Sequence, residues 1–121
     1  KSRQNSESHV QRAISIVEDF YGRDLTVQYI ADKLNLNRSY LSEIFSKQMG
    51  VPLKKYILDF RITQSEEFLF TSDWSVDYIS QICGFNSPSY FSKIFKEYHG
   101  ISPTEYRKSR HKREHQTILV K

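Results

Sequence analysis

The sequence has a single cysteine, Cys83, among its 121 residues. No disulfide framework can form within it, and a reducing cytoplasm is the expected setting. No apolar run approaches membrane-spanning length, and no leader pattern precedes the first helical segment, so no membrane partner is expected. Also missing are a phosphate-cradling loop, a nucleophile beside a base, and paired acids. The expectation is therefore a chain without catalytic residues or cofactor, and not an enzyme. His9 and His99 have no ligand spacing. His111 and His115 lie four apart, but in a basic tail without carboxylate or thiol company, so no metal site is expected. The chain starts at Lys1 and not at Met, and is expected to be a fragment or a processed form.

What is present is one to two small cores' worth of apolar residues, at 38% hydrophobic and 14% aromatic. The formal net charge is +4, but its distribution says more than its total. Residues 107–121 alone carry +5, from Arg107, Lys108, Arg110, Lys112, Arg113 and Lys121 against Glu114, which leaves −1 for the rest. Within that rest the signs segregate. Arg38, Lys47, Lys54 and Lys55 face only Glu43 over residues 37–56, while Asp59, Glu66, Glu67, Asp73 and Asp77 face only Arg61 over residues 59–77. One basic and one acidic side would suit a polyanion, and an ordinary mixed surface would read the same way.

The chain repeats itself. At an offset of 49, Val27, Tyr29 and Ile30 recur as Val76, Tyr78 and Ile79. At an offset of 50, Ser39, Tyr40, Ser42, Ile44, Phe45, Gly50 and Tyr56 recur as Ser89, Tyr90, Ser92, Ile94, Phe95, Gly100 and Tyr106. The change of offset falls at Asn86, in a turn, where an insertion costs least. Each copy reads as helix, tight turn, helix. Thr26 and Ser75 can cap first helices over 27–34 and 76–83, by accepting from free N–H groups of the first turn. Asn35 and Gly84 then occupy the turn, and these two residue types enter the left-handed conformation most cheaply. Asn37 and Ser87 can cap the second helices, with Pro88 at a first position that needs no N–H. Gly50 and Gly100 stop them.

Both second helices are amphipathic. Leu41, Ile44, Phe45 and Gln48 share one face, as do Phe91, Ile94, Phe95 and Tyr98. Ser39, Ser42, Glu43 and Ser46 lie opposite, matched by Ser89, Ser92, Lys93 and Lys96. Short outward side chains suit close approach to a groove floor, and they also suit a plain solvated face. Val10, Ala13, Ile14 and Val17 predict a helix ahead of the first copy. Pro52 can open a helix of roughly nineteen residues, about 28 Å long at ~1.5 Å per residue. One turn of duplex DNA advances about 34 Å, so a helix of that length could set two recognition helices into successive major grooves. Ser102–Pro103 begins a short last helix through about Lys108. Cys83 and Trp74 read as packing residues, in preference to a redox sensor or a ligand platform.

The stretch Ile79–Arg107 closely resembles the AraC/XylS signature. It has Gly84–Phe85 at the turn, Ser89–Tyr90–Phe91 opening the second helix, Phe95–Lys96 near its end, then Gly100, Pro103 and Tyr106–Arg107. Ile30–Ala31, Tyr40–Leu41, Phe45, Gly50, Tyr56 and Arg61–Ile62 fit in the first half. The resemblance implies an all-α fold of about seven helices, with two helix-turn-helix subdomains joined by a long linker helix. The expected boundaries are 8–51 for the first subdomain, 52–72 for the linker, 73–108 for the second subdomain and 109–121 for a flexible basic tail.

The resemblance further implies transcription control through double-stranded promoter DNA, commonly activation through RNA polymerase. A small-molecule effector would act only through a sensor domain outside this chain. Positions matching base readers are Ser39, Ser42 and Glu43, then Ser89, Ser92 and Lys93, with Arg38 beside them. Phosphate candidates are Asn37, Lys47, Lys54, Lys55, Ser87, Lys96, Thr104 and Arg107. Glu43 stands where many relatives carry a basic or neutral reader. It could accept from a cytosine amine or pair with Lys47 one turn on, and the ion pair is the favoured expectation. A protein-interaction module with weak, sequence-blind DNA binding is the alternative. RNA binding ranks third, because the groove-facing sides lack stacking aromatics. Alone, the chain is expected to be a monomer.

Overall fold

The computed structural model describes residues 3–110. Among them are seven helices and no strand: α1 (Arg3–Phe20), α2 (Val27–Lys33), α3 (Arg38–Met49), α4 (Leu53–Thr71), α5 (Val76–Ile82), α6 (Pro88–His99) and α7 (residues 103–110). The all-α, two-motif fold is the one the sequence predicts. His111, His115 and the last basic residues lie outside the described range. No helix among the described residues is long and apolar enough to cross a membrane. The chain divides into two compact units between Arg61 and Ile62, within α4.

In the first unit, α1 contributes a stripe of Val10, Ala13 and Val17, all buried. It meets Ile30 and Ala31 of α2, Leu41, Ile44 and Phe45 of α3, and Leu53 and Ile57 of α4. Each fully buried aliphatic or aromatic side chain of this kind contributes about 1.5–3 kcal/mol. Pro52 sits one residue ahead of α4 and its carbonyl accepts from Tyr56 N–H at 3.0 Å.

The two turns are built alike. After α2, Asn35 adopts φ 57°. The Leu36 N–H reaches back to the Ala31 carbonyl at 2.9 Å, and that of Asn35 to Asp32 at 3.1 Å. After α5, Gly84 adopts φ 91°, with Phe85 N–H on Ser80 at 3.0 Å and Gly84 N–H on Gln81 at 3.1 Å. This paired closure is the Schellman motif, and it needs a left-handed residue at that one place. The expected caps are formed. Thr26 and Ser75 hydroxyls accept from Tyr29 and Tyr78 N–H, both at 3.0 Å. Asn37 Oδ1 accepts from Ser39 and Tyr40 at 2.8 and 3.1 Å, and Ser87 Oγ from Tyr90 at 3.1 Å.

The second unit packs around Phe91, Ile94 and Phe95 of α6, with Leu69, Ile79 and Phe85 also buried. Phe95 meets Phe91 at 5.7 Å and Tyr106 at 5.2 Å between ring centroids, both edge-on. Here the expected apolar stripes need correcting. Gln48 and Tyr98 are exposed; the stripe of α6 ends instead in His99. That ring follows Phe95 by one turn, stacks on it at 4.3 Å and places Nε2 2.7 Å from Glu66 Oε2. Trp74 packs at the surface. It is 44% exposed, leaning on Phe68 and Tyr78 at 5.2 Å each.

Both units close with arginine on helix-end carbonyls. Arg61 donates to Tyr21 and Arg23 carbonyls just beyond α1, each at 2.9 Å. Arg110 donates to the Ser72 carbonyl at 2.9 Å beyond α4 and to Asp73 Oδ1 at 2.7 Å. This explains a second correction: α7 continues to Arg110, past the expected end near Lys108, because Arg110 is anchored. Residues 109 and 110 therefore belong to the helix and not to a tail. At its start Ser102 and Glu105 form a reciprocal capping box, at 3.0 and 3.1 Å. The Ser102 backbone N–H, and after it the Ser102 hydroxyl, hold the Glu105 carboxyl below its ordinary pKa.

Ser80 breaks the repeat. It stands where the first copy has Ala31, is 1% exposed, and its hydroxyl makes no hydrogen bond among the described residues. A buried hydroxyl without a partner is destabilising, and alanine is the better helix former. Ser80→Ala should raise unfolding free energy by about 1 kcal/mol, read from urea denaturation. A loss of stability in that variant would show that the hydroxyl is satisfied after all.

Candidate nucleic-acid interface

α3 is held from behind by Leu41, Ile44 and Phe45 and tied at its ends by Asn37 and Gly50. That fixes which residues point away from the core. Arg38, Ser39, Glu43, Ser46 and Lys47 are exposed, and Ser42 is half-buried. α6 is held in the same way, between Ser87 and Gly100. Ser89, Lys93 and Lys96 are exposed and Ser92 is half-buried. Each unit therefore presents one capped helix whose outer face alternates serines with long charged side chains, three of each named on α3 and two of each on α6. Such a face can come close to base edges and still reach phosphates.

The candidate phosphate contacts fare unequally. Lys47, Lys54, Lys96 and Thr104 are exposed. Lys55 is held by Asp59, one turn on, at 3.0 Å, an exposed pair of a kind worth under about 1 kcal/mol and easily exchanged for a phosphate. Asn37 and Ser87 use their side-chain oxygens as caps, which leaves their donor hydrogens for an anion. Arg107 is a different case. Its Nε donates to the Leu69 carbonyl at 3.3 Å, and Nη2 is buried with no hydrogen-bond partner among the described residues. Burial, helped by the like charge of Arg110, pulls its pKa below the ordinary arginine value. Arg107 is half-buried against the Leu69 carbonyl, where the lysines of the set are exposed.

The expected Glu43–Lys47 ion pair is absent among the described residues, which do pair Lys55 with Asp59, His99 with Glu66 and Arg110 with Asp73. Glu43 and Lys47 instead line an open cleft of about 410 Å³ with Ser6 and Glu7 of α1 and Tyr40, Ile44 and Gln48 of α3. Ser6 Oγ lies 3.3 Å from Tyr40 Oη, and His9 meets the Tyr40 ring edge-on. Sequence reasoning started this unit at residue 8 and missed that the first turns of α1 flank α3. Nothing in the local pattern signals it, because it depends on how α1 packs. It also missed Tyr90. This residue shares the repeat with half-buried Tyr40, yet is 44% exposed at the start of α6.

A family model described as a helix-turn-helix domain matches residues 30–109. Over 108 residues the chain is 40% identical to the Msm operon regulatory protein of Streptococcus mutans, a match that covers 89% of this chain and 39% of that protein. The chain spans under two fifths of the length of the curated relatives it matches. A transcriptional regulator of Chromobacterium violaceum, described as AraC-type, has the same fold with a TM-score of 0.79 at 27% identity, covering 89% of this chain and 96% of that one. The DNA-binding domain of AdpA, a global transcriptional factor solved in complex with a target DNA, gives 0.82 at 26% identity, covering 88% and 96%. Duplicated capped helices, a match across both of them and these likenesses agree: the chain belongs to the AraC-type helix-turn-helix family of DNA-binding transcription regulators.

Proposed function

We propose that α3 and α6 each enter a major groove of promoter DNA and read its sequence. Ser39, Ser42 and Glu43 meet base edges from α3, with Arg38 beside them, and Ser89, Ser92 and Lys93 from α6. Lys47, Lys54, Lys55, Lys96 and Thr104 hold the backbone, with donor hydrogens of Asn37 and Ser87 at the helix starts. Arg107 is left out of this set. The observation that carries the reading is the duplication of one capped helix whose exposed side sets short serines among long charged side chains. That combination serves close approach to a groove twice and serves no catalytic chemistry. The solved likeness to AdpA on its target DNA supports it.

In this reading the domain serves transcription control, commonly activation. RNA polymerase contact has a specific observation in its favour: the exposed rings of Trp74 and Tyr78, with Asp73 and Asp77 beside them in sequence, form a surface that α6 does not use. A small-molecule effector would act through sequence outside this chain, and the setting is the cytoplasm.

The test is selection of binding sites from random duplex DNA by the 121-residue chain, followed by titration of the winner at two salt concentrations. The expected result is a site with two short motifs, one per helix, and affinity that falls steeply with salt. Whether the helices take successive grooves is read from the spacing of those motifs. Recovery of no consensus, with weak and sequence-blind binding, would favour the interaction module.

A further inference from the structure

Among the described residues, the Glu43 carboxylate has no ion-pair partner. Lys47, one turn away, makes no ion pair with it among the described residues. The charged neighbour that α1 brings to the same cleft is Glu7, of like sign. The adjoining outward positions, Ser39, Ser42 and Ser46, are short, so the longer glutamate arm projects beyond them toward whatever α3 approaches. An unneutralised carboxylate brought to a polyanion is repelled, unless the surface it meets offers an N–H to accept from.

Major-groove edges differ in what they offer that oxygen. Guanine presents two acceptors, N7 and O6, and thymine an acceptor and a methyl group. Adenine has an N6 amine, but its N7 acceptor lies beside it. Cytosine alone presents a donor, its N4 amine, with no acceptor on its own major-groove edge. We infer that Glu43 selects a cytosine in the groove read by α3, by accepting from its N4 amine, and rejects the bases that cannot donate. The inference rests on the DNA-reading function proposed above and gives that site its preferred base. It also makes the two helices unlike readers: α3 works largely by rejection, whereas α6 carries the cationic Lys93 at the matching place. Rejection is as good a source of discrimination as attraction, since specificity is a difference of affinities.

The test compares the wild-type chain with Glu43→Ala and Glu43→Gln on the selected site. The cytosine is replaced in turn by each other base, and by 2-pyrimidinone opposite guanine, which lacks only the exocyclic amine. Wild type should lose roughly tenfold or more in affinity on losing that amine. Glu43→Ala should be indifferent to the same change within about twofold, as a closed cycle between side chain and base requires. The same variant should bind random duplex more tightly than wild type does. Glu43→Gln, which keeps an oxygen but not the charge, should retain part of the preference. If Glu43→Ala tightens all sequences by one factor and keeps the wild-type base preference, Glu43 is only a surface charge and the inference falls. A consensus without a cytosine in the motif read by α3 also overturns it, while leaving the DNA-reading function standing. Absence of any consensus overturns that function, and this inference with it.

Discussion

Phe95→Ala should remove about 3–5 kcal/mol from the stability of the second unit. Phe95 is 0% exposed and joins three ring contacts, to Phe91, His99 and Tyr106. Truncation forfeits the burial of the ring and leaves a cavity whose walls are themselves rings tied to α4, α6 and α7. His99 is held by Glu66 at 2.7 Å, so it cannot simply swing in to fill the space. Small domains have only about 5–15 kcal/mol in total, so the variant should be partly unfolded near body temperature. The readout is built in. The one tryptophan, Trp74, leans on Phe68 and Tyr78 within this unit. Urea denaturation followed by its fluorescence should show a lowered midpoint with nearly unchanged slope. A loss under about 1 kcal/mol would mean that the ring is not the centre of this core.

The repeat explains why so much of the fold was legible. Two copies of one pattern allowed each cap and turn to be read twice, and caps are local chemistry. Thr26, Ser75, Asn37, Ser87, Asn35 and Gly84 each do what their residue type does in that place, within a few residues of chain. What escaped depends on groups distant in sequence. Arg61 reaches carbonyls about forty residues back, and Arg110 does the same, so neither appears in a window of local periodicity. His99 is drawn inward by Glu66, 33 residues earlier, which a hydrophobic pattern cannot register because both groups are polar.

The site was legible by position and less so by role. Ser39, Ser42, Ser89 and Lys93 fall where the pattern placed them. Arg107, a phosphate candidate from its motif, is instead turned onto the Leu69 carbonyl. Glu43 was expected to pair with Lys47 because spacing of four on a helix permits it. Spacing permits a pair without requiring one, and exposed pairs gain too little to be relied on.

Lys93→Ala and Lys96→Ala should have different effects on DNA binding, though both remove one charge from the same helix face. Lys93 is exposed one turn after Ser89 and next to Ser92. Short neighbours let its ammonium reach a base edge, and guanine offers it two acceptors, O6 and N7. Lys96 lies nearer the end of α6, and its charge reaches Glu105 of α7, whose carboxyl it helps to keep ionised. In the proposed reading Lys96 meets backbone and not base. Losing Lys93 should flatten the preference at one position of the α6 motif by about 1–3 kcal/mol and leave the other positions unchanged. Losing Lys96 should weaken all sequences alike and reduce the slope of log affinity against log salt by roughly 1. Competition titrations on single-base variants, repeated across a salt series, separate the two. Should Lys93→Ala weaken every sequence equally, Lys93 would be a backbone contact, and α6 would read its groove through Ser89 and Ser92 with Tyr90 as the nearest exposed ring.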